Sequence, residues 1–471
     1  MKLRLSLVCS RCGYVFQADH GKPSCEKCGG QLEYVFDEEY LKKVELVGEL
    51  RFWRYRPIMP PVQKVVSLGE GGTPIQGSQR LAESLGLSNL RLKDETRNPT
   101  SSFKDRSAAL LVSDALSKGF DSIVCATDGN HGASVAAYTA KADISCHLVV
   151  PKSMDLGKLA QMMAYNADII EAGETVEEAV KRAKNLEQEK GWYQATTELN
   201  PLSIEGLKTI SYELVEQGVA TDWLVVAMGS GVTIHSLWKG YRELKVMGLV
   251  EEPPRLIGVQ AVGCPPIAQA FEQGLEEPVK IVKGTTEALA INVAEPLFGE
   301  LALRVLHESG GFAVTVTDEE MIKAGGEIAK LEGIFPEPAS ASTVACLKSL
   351  VEAGKIDKRD CVVSLITSSG LKTDDILKSL TRRTKTPGLG SKLSTKEKIL
   401  RIIFTSGKTY GYEIWKGMGQ DMTIGAIYQH LADLEGRGLI SSIAQGKRRY
   451  IEITEKGRRV MSALDDLQVL L

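Results

Sequence analysis

The chain has 471 residues, 43% hydrophobic and 25% charged, which excludes disorder along its whole length and leaves enough apolar surface for a sizeable core. Lysine and arginine number 57 against 60 acidic residues, a formal charge of −3, so the chain as a whole is no polybasic nucleic-acid binder and any such affinity must be local. No run approaches the ~20 apolar residues that span a bilayer, and the length suggests roughly three domains.

The opening MKLRLSLVCSRC has a short apolar stretch, broken by Arg4 and followed by charged sequence instead of a cleavage site, so it is not read as a secretory leader. The expected compartment is the cytoplasm, with no membrane association. Of nine cysteines, Cys125, Cys146, Cys264, Cys346 and Cys361 are scattered in apolar contexts, and the odd total argues against a disulfide framework. The other four form two CxxC pairs, Cys9/Cys12 and Cys25/Cys28, which predict a zinc ribbon over residues 1–40. Gly13 and the Gly29-Gly30 pair supply the turns after each knuckle. Four thiolates leave no open coordination position, so the zinc is expected to be structural. A module this small needs the metal in order to fold.

Residues 50–380 alternate short β-branched runs with amphipathic helical ones. The runs are Ser122 to Ala126, Cys146 to Val150, Asp222 to Met228, Arg255 to Ala261 and Cys361 to Thr367. This pattern predicts an α/β region of parallel strands covered by helices. Glycine is enriched, with 45 residues, and clusters follow several of these strands, where such sheets bind ligands. In Asn98-Pro99-Thr100-Ser101-Ser102-Phe103-Lys104-Asp105-Arg106, a polar turn sets one lysine between an apolar Phe and the start of a helix. Partly buried there, Lys104 can form a Schiff base; the competing reading is a solvated charge. Gly229-Ser230-Gly231-Val232-Thr233 lies between a strand and a helix, a geometry that cradles an anion or simply makes a turn. Ala126-Thr127-Asp128-Gly129-Asn130-His131-Gly132 is placed likewise.

Thr381 to Ser394 carries Arg382, Arg383 and Lys385 with Pro387, Gly388 and Gly390, and residues 381–394 are expected to be a linker. Residues 395–471 read as three helices, a hairpin and a final helix. From Ser391 onward, 13 Lys and Arg face 9 Asp and Glu, a local excess of positive charge. The order resembles a winged helix of the PadR-like regulators. In a DNA-binding reading the third helix, with Gln429 and His430, would enter the groove, and Lys447, Arg448 and Arg449 would form a basic wing. A dimerisation or ligand-sensing appendage is the alternative.

NPTSSFKDR closely resembles the NPTGSFKDR signature of fold-type II pyridoxal-phosphate enzymes, and Ser67 to Lys372 is similar to the threonine synthases. SLGEGGTP, LKDETRNP, LGKLAQMMAYNA, NPLSIEGLKT, GVQAVGCPPI, ESGGFAVTVTDEEM and EGIFPEPASA follow in that family's order. The resemblance implies a catalytic region of two doubly wound parallel-sheet lobes, a homodimer, and a small amino acid as substrate. It makes Lys104 the Schiff-base lysine and proton shuttle. Gly229, Ser230, Gly231, Val232 and Thr233 become the cofactor-phosphate cradle. Asn130 would bind the cofactor's phenolic oxygen and Thr367 its pyridine nitrogen. Thr127, Gly129 and His131 would meet the substrate.

Three departures bear on the substrate. Ser203 stands where threonine synthases commonly offer an arginine to the substrate phosphate. His131 replaces a small hydroxyl. Asp128 makes TDGNHG more like diaminopropionate ammonia-lyase, and it could act as a second proton-transfer group. The expected function is threonine synthase, turning O-phosphohomoserine and water into threonine and phosphate. The alternatives are β-elimination or β-replacement (a diaminopropionate or threonine ammonia-lyase, or a phosphoserine-using cysteate synthase) and an amino-acid-sensing DNA-binding regulator.

Overall fold

The computed structural model describes residues 4–18, 24–152, 154–373, 395–418, 423–445 and 448–461. The expected linker, 381–394, and Lys447 lie outside the described residues. The chain divides into two compact units, Met1–Ile376 and Leu377–Leu471. No described helix is long and apolar enough to cross a membrane.

The first unit begins with β1 (Leu5–Cys9), β2 (Val15–Gln17) and β3 (Leu32–Phe36), an antiparallel sheet in the order β2-β1-β3. The strands that follow are β4 (Ile75–Gly77), β5 (Asn89–Asp94), β6 (Ser122–Ala126), β7 (Ser145–Val150), β8 (Asp168–Glu171), β9 (Tyr193–Gln194), β10 (Trp223–Ala227), β11 (Arg255–Ala261), β12 (Phe312–Val316) and β13 (Cys361–Ile366). They build two sheets. One is wholly parallel, in the order β8-β7-β6-β9. The other runs β12-β11-β10-β13-β5-β4, parallel except for the edge pair β4–β5, which is antiparallel. Sequence alternation predicted only parallel strands. The three-residue β4 carries too little apolar pattern to reveal its direction.

Every residue of β10 (WLVVA) and β13 (CVVSLI) is buried, which is why these strands read as unbroken apolar runs. Helices lie on both faces. Asp105–Ser117 is buried from Asp105 to Ala115. Val176–Lys190 starts at a capping box, Thr175 with Glu178, and stops at Gly191 in the left-handed conformation.

A buried charge cluster fixes the helix that follows Lys104. Arg106 pairs with Glu95 at 2.8 Å and Glu213 at 2.6 Å, and Lys93 reaches Glu213 at 2.8 Å; none of the four side chains is exposed. Thr73 and Thr209 hydroxyls complete the shell of Arg106. The Arg106 guanidinium and the Lys93 ammonium hold Glu213 down, to about 2, against burial that works the other way.

The second unit has helices Thr395–Ser406, Gly411–Gly417 and Ile424–Gly436, with helical backbone again at 455–461. Strands β14 (Lys408–Tyr410), β15 (Ile440–Gln445) and β16 (Arg448–Ile453) pair antiparallel in the order β14-β16-β15. The two-stranded ribbon expected from sequence is thus three-stranded. The short GKTY segment between two helices gave no alternation by which β14 could be recognised.

Candidate functional site

Cys9, Cys12, Cys25 and Cys28 converge, with all four Sγ atoms within 4.8 Å of one another. Cys9 and Cys28 are 3.5 Å apart and Cys12 and Cys25 3.7 Å. Tetrahedral zinc with Zn–S near 2.3 Å puts its sulfurs about 3.8 Å apart, so the cluster fits that ion. Matching turns shape the knuckles: Gly13 N–H donates to Cys9 O and Gly29 N–H to Cys25 O, both glycines at positive φ. Gly30 serves otherwise. A Cβ there would lie 2.9 Å from Cys9 Sγ, so its bareness lets the sulfurs close up.

The second candidate site is a cavity of about 400 Å³ at the carboxyl ends of β6, β10 and β13. Lys104, Asp128, Asn130, His131, Thr127, Gly229, Ser230, Gly231, Thr233 and Thr367 all line it. Val232, Gly129 and Ser203 do not figure in its lining. Val232 is the first residue of helix Val232–Val246. Gly129 lies under Lys158, and a Cβ there would be 2.6 Å from Lys158 Cδ. Ser203 is fully buried in helix Leu202–Leu207, its hydroxyl without a partner and its carbonyl accepting from Ser107. Its expected place beside the substrate is not what the packing gives.

The lysine loop is held by its own polar groups. Asp105 accepts from Thr100 N–H and Oγ1, both at 2.7 Å, and burial lifts its carboxyl to about 6. Ser101 sits at φ +60°, a left-handed conformation that suits the glycine of the signature better. Lys104 Nζ makes no hydrogen bond or ion pair among the described residues; Phe103's ring lies 5.1 Å away. Burial pulls the Lys104 ammonium below the usual lysine range, while Glu198, Asp128 and Cys125 push the other way. Asp128 is raised, by burial first; Lys158 opposes the rise and Glu198 adds to it. His131 is drawn down to about 3 by burial and by Lys104, so it is neutral. Its Nε2 meets Ala195 O at 2.7 Å and its Nδ1 is buried without a partner.

Opposite lies the glycine loop. Gly231 has φ +91°, and a Cβ on it would lie 2.7 Å from Phe298 O. No side chain caps the helix that starts there, so its first N–H groups are left for an anion. Thr367 Oγ1 is 2.7 Å from Ser340 Oγ, which also touches the Ser368 backbone. The Asn130 amide donates to both oxygens of Glu337 at 3.0 Å and accepts from Lys372 at 3.3 Å. The contact expected from Asn130 to a phenolic oxygen therefore competes with Glu337. An unpaired, partly buried lysine facing a bare-backbone cradle with open N–H groups fits pyridoxal phosphate.

Sequence reasoning assigned no role to Glu337, Ser340, Lys158 or Glu198. The first three stand inside quoted motifs; Glu198 stands in none.

In the second unit, Arg449 donates to Glu435 Oε2 at 2.7 Å and to Ser442. This basic residue of the wing is engaged with the preceding helix. Arg448 lies on β16, and its side chain is outside what the structure describes.

Residues 66–368 match the model of the pyridoxal-phosphate dependent enzymes, and residues 399–463 that of the transcriptional regulator PadR-like family. A threonine synthase of Methanocaldococcus jannaschii is 38% identical over 78% of this chain and 93% of that protein. One of Methanosarcina acetivorans is 35% identical over 78% of this chain and 92% of its own. Among solved structures, processed threonine deaminase isoform 2 of Solanum lycopersicum superposes with TM-score 0.57 at 22% identity, covering 66% of this chain and 82% of that one. That likeness is one of fold.

Proposed function

This chain belongs to the pyridoxal-phosphate dependent enzyme family, and from that premise we propose that it is a threonine synthase, converting O-phosphohomoserine and water into threonine and phosphate. One observation carries the reading: similarity to two threonine synthases runs over more than nine-tenths of their length, and the cavity falls within the family match at residues 66–368.

When bound, pyridoxal phosphate supplies an electron sink at the substrate Cα. The chain supplies the rest. Burial lowers the Lys104 ammonium below the usual lysine range, and Lys104 would hold the cofactor and move a proton at the substrate Cα. Gly229 to Thr233 would hold the cofactor's phosphate with backbone N–H groups, and Thr367 its ring nitrogen. A hydroxyl there leaves that nitrogen unprotonated, favouring replacement and elimination over racemisation. Asn130 would reach the phenolic oxygen once released from Glu337. The loop from Thr127 to His131 opens helix Asn130–Ala142, whose N-terminus suits a substrate carboxylate. Neutral His131 adds no charge there.

A second reading rests on a specific observation. Ser203 is buried away from the cavity, and the cavity holds Asp128 without any arginine. That chemistry suits β-elimination from an unphosphorylated amino acid. Release of inorganic phosphate from O-phosphohomoserine supports threonine synthase. Ammonia from diaminopropionate, serine or threonine, with no phosphate release, overturns it in favour of the lyase. Purified protein should be yellow, and Lys104→Ala should abolish the borohydride-reducible link to the protein.

The remaining assignments belong to the same reading: structural zinc on the four cysteines, a cytoplasmic homodimer, and DNA binding by the second unit. The PadR-like match supports DNA binding, and the exposure of Arg449 beyond its pair with Glu435 leaves it available to phosphate. Salt-dependent binding that weakens in Arg448→Ala/Arg449→Ala would support it. Failure to bind any genomic fragment makes this unit an interaction module.

A further inference from the structure

We propose that Glu198 and Asp128 form a carboxylate couple facing Lys104, and that this couple is the second proton-transfer site of the cavity, serving the side-chain end of the substrate while Lys104 serves its carbon atoms. The proposal rests on the reading of the cavity as a pyridoxal-phosphate site.

The topology puts the two carboxylates together. Strands β6 and β9 are parallel neighbours, with Val124 opposite Gln194, so the segments leaving their carboxyl ends lie side by side. Asp128 is in the loop after β6; Glu198 is in the 3-10 turn Thr197–Leu199 just after β9. Cross-links hold these segments in register. Ala195 N–H donates to Val124 O, Ala126 N–H to Thr196 Oγ1, and His131 Nε2 is 2.7 Å from Ala195 O. Both carboxylates line the cavity with Lys104.

Lys104, Lys158, Cys125 and His131 act on the couple, and Glu177, Lys181 and Lys184 of helix Val176–Lys190, with Glu295 and Glu337, line the same cavity. Lys158 is already committed to Asp155 at 2.8 Å and Glu337 at 3.6 Å. Burial pushes the Cys125 thiol up and His131 down, so both are neutral. No hydrogen bond or ion pair holds the Glu198 carboxylate among the described residues. Burial first, and the nearby Glu198 carboxylate in addition, make Asp128 hold a proton more readily than an ordinary carboxylate.

A proton held at Asp128 beside Glu198 is what the side-chain chemistry needs. As the Cγ–O bond breaks, its electron pair leaves with the phosphate, and the couple's proton passes to the departing oxygen. When the oxygen of water bonds Cβ, its released proton refills the couple. The couple thus ends as it began, and phosphate leaves in its hydrogen form.

The test compares Glu198→Gln and Glu198→Asp holoenzymes with the unaltered one. Glu198→Gln keeps the shape and should lower kcat by about 10²-fold with KM little changed, and Glu198→Asp should restore part of the loss. Without the like charge, Asp128 ionises more readily, so the acid limb of kcat/KM moves to lower pH. With one negative neighbour fewer, the protonated nitrogen of Lys104 is less stabilised, so the cofactor's absorbance titration also moves to lower pH. Retention of kcat within about threefold overturns the proposal, since general acid–base groups are worth far more. So does a fall in kcat with neither pH curve displaced, the signature of a merely structural loss. The absorbance titration needs no substrate, so it judges the couple even where O-phosphohomoserine is not turned over.

Discussion

Leu7, Leu32, Tyr34 and Phe36 of the N-terminal ribbon pack into the same core as the helices of the catalytic region. The C-terminal module instead gathers Ile399, Leu400, Ile403, Ile414, Ile427, Leu431, Leu434, Ile451 and Ile453 into a core of its own. One small module thus lays its apolar side chains on a host surface beside its cysteine cluster. The other is held from within. The ribbon's polar contacts repeat the pattern: Glu33 sits 3.3 Å from His235 Nε2, Lys239 Nζ donates to Tyr34 O, and Arg304 donates to Ser10 O at 3.0 Å. Size alone does not tell how a module is stabilised; the destination of its apolar side chains does.

The largest expected effect is on the ribbon. On the proposed zinc assignment, a chelator or Cys9→Ser should forfeit up to about 10 kcal/mol of binding free energy, and calorimetry should show the first unit melting earlier while the second is unmoved. A parallel fall of both transitions would break the comparison. Next comes the second unit's core: Ile403→Ala should cost about 2–5 kcal/mol there and leave the cofactor absorbance of the first unit unaltered.

Glu33→Gln is smaller, about 1–3 kcal/mol, through partners left unsatisfied. Its pH signature is specific. Burial raises the Glu33 carboxyl, but His235, Lys239 and Arg242 outweigh it and hold the group well below the usual range. A lowered carboxyl stabilises fully above its unfolded value near 4.5 and loses that contribution as pH falls. Melting of the unaltered protein should therefore be steeper below that pH than melting of Glu33→Gln. Arg11→Ala comes last. Arg11 and Glu300 pair at the surface, and screening should leave the melting temperature within error.

The apolar strands were readable because burial on both faces removes ambiguity: Arg255 to Ala261 and Ser122 to Ala126 are strands over the range expected. Helix Thr395–Ser406 also begins where the helical reading of residues 395–471 starts. What the pattern concealed was pairing. β4 takes its direction from the next strand, β5, and β14 exists only through β16, beyond two helices and a strand; neither pairing is written in the local pattern. The same holds in the cavity. Lys104 and the Gly229 loop advertise themselves by type and spacing, whereas Glu198 becomes visible only when β9 is laid beside β6. Ser203 shows the converse, a motif position that is fully buried outside the lining of the cavity.

The Arg106 side chain, two residues beyond Lys104, does not line the cavity, yet it belongs to a set of four buried charges with Lys93, Glu95 and Glu213. Replacing any one of them strands a charge in the interior, at a cost of about 3–5 kcal/mol, while replacing the set by apolar groups need cost nothing. Descent with modification therefore meets a barrier at single steps and open ground beyond it. These positions are expected to change together or to stay, for a reason unrelated to the reaction carried out next door.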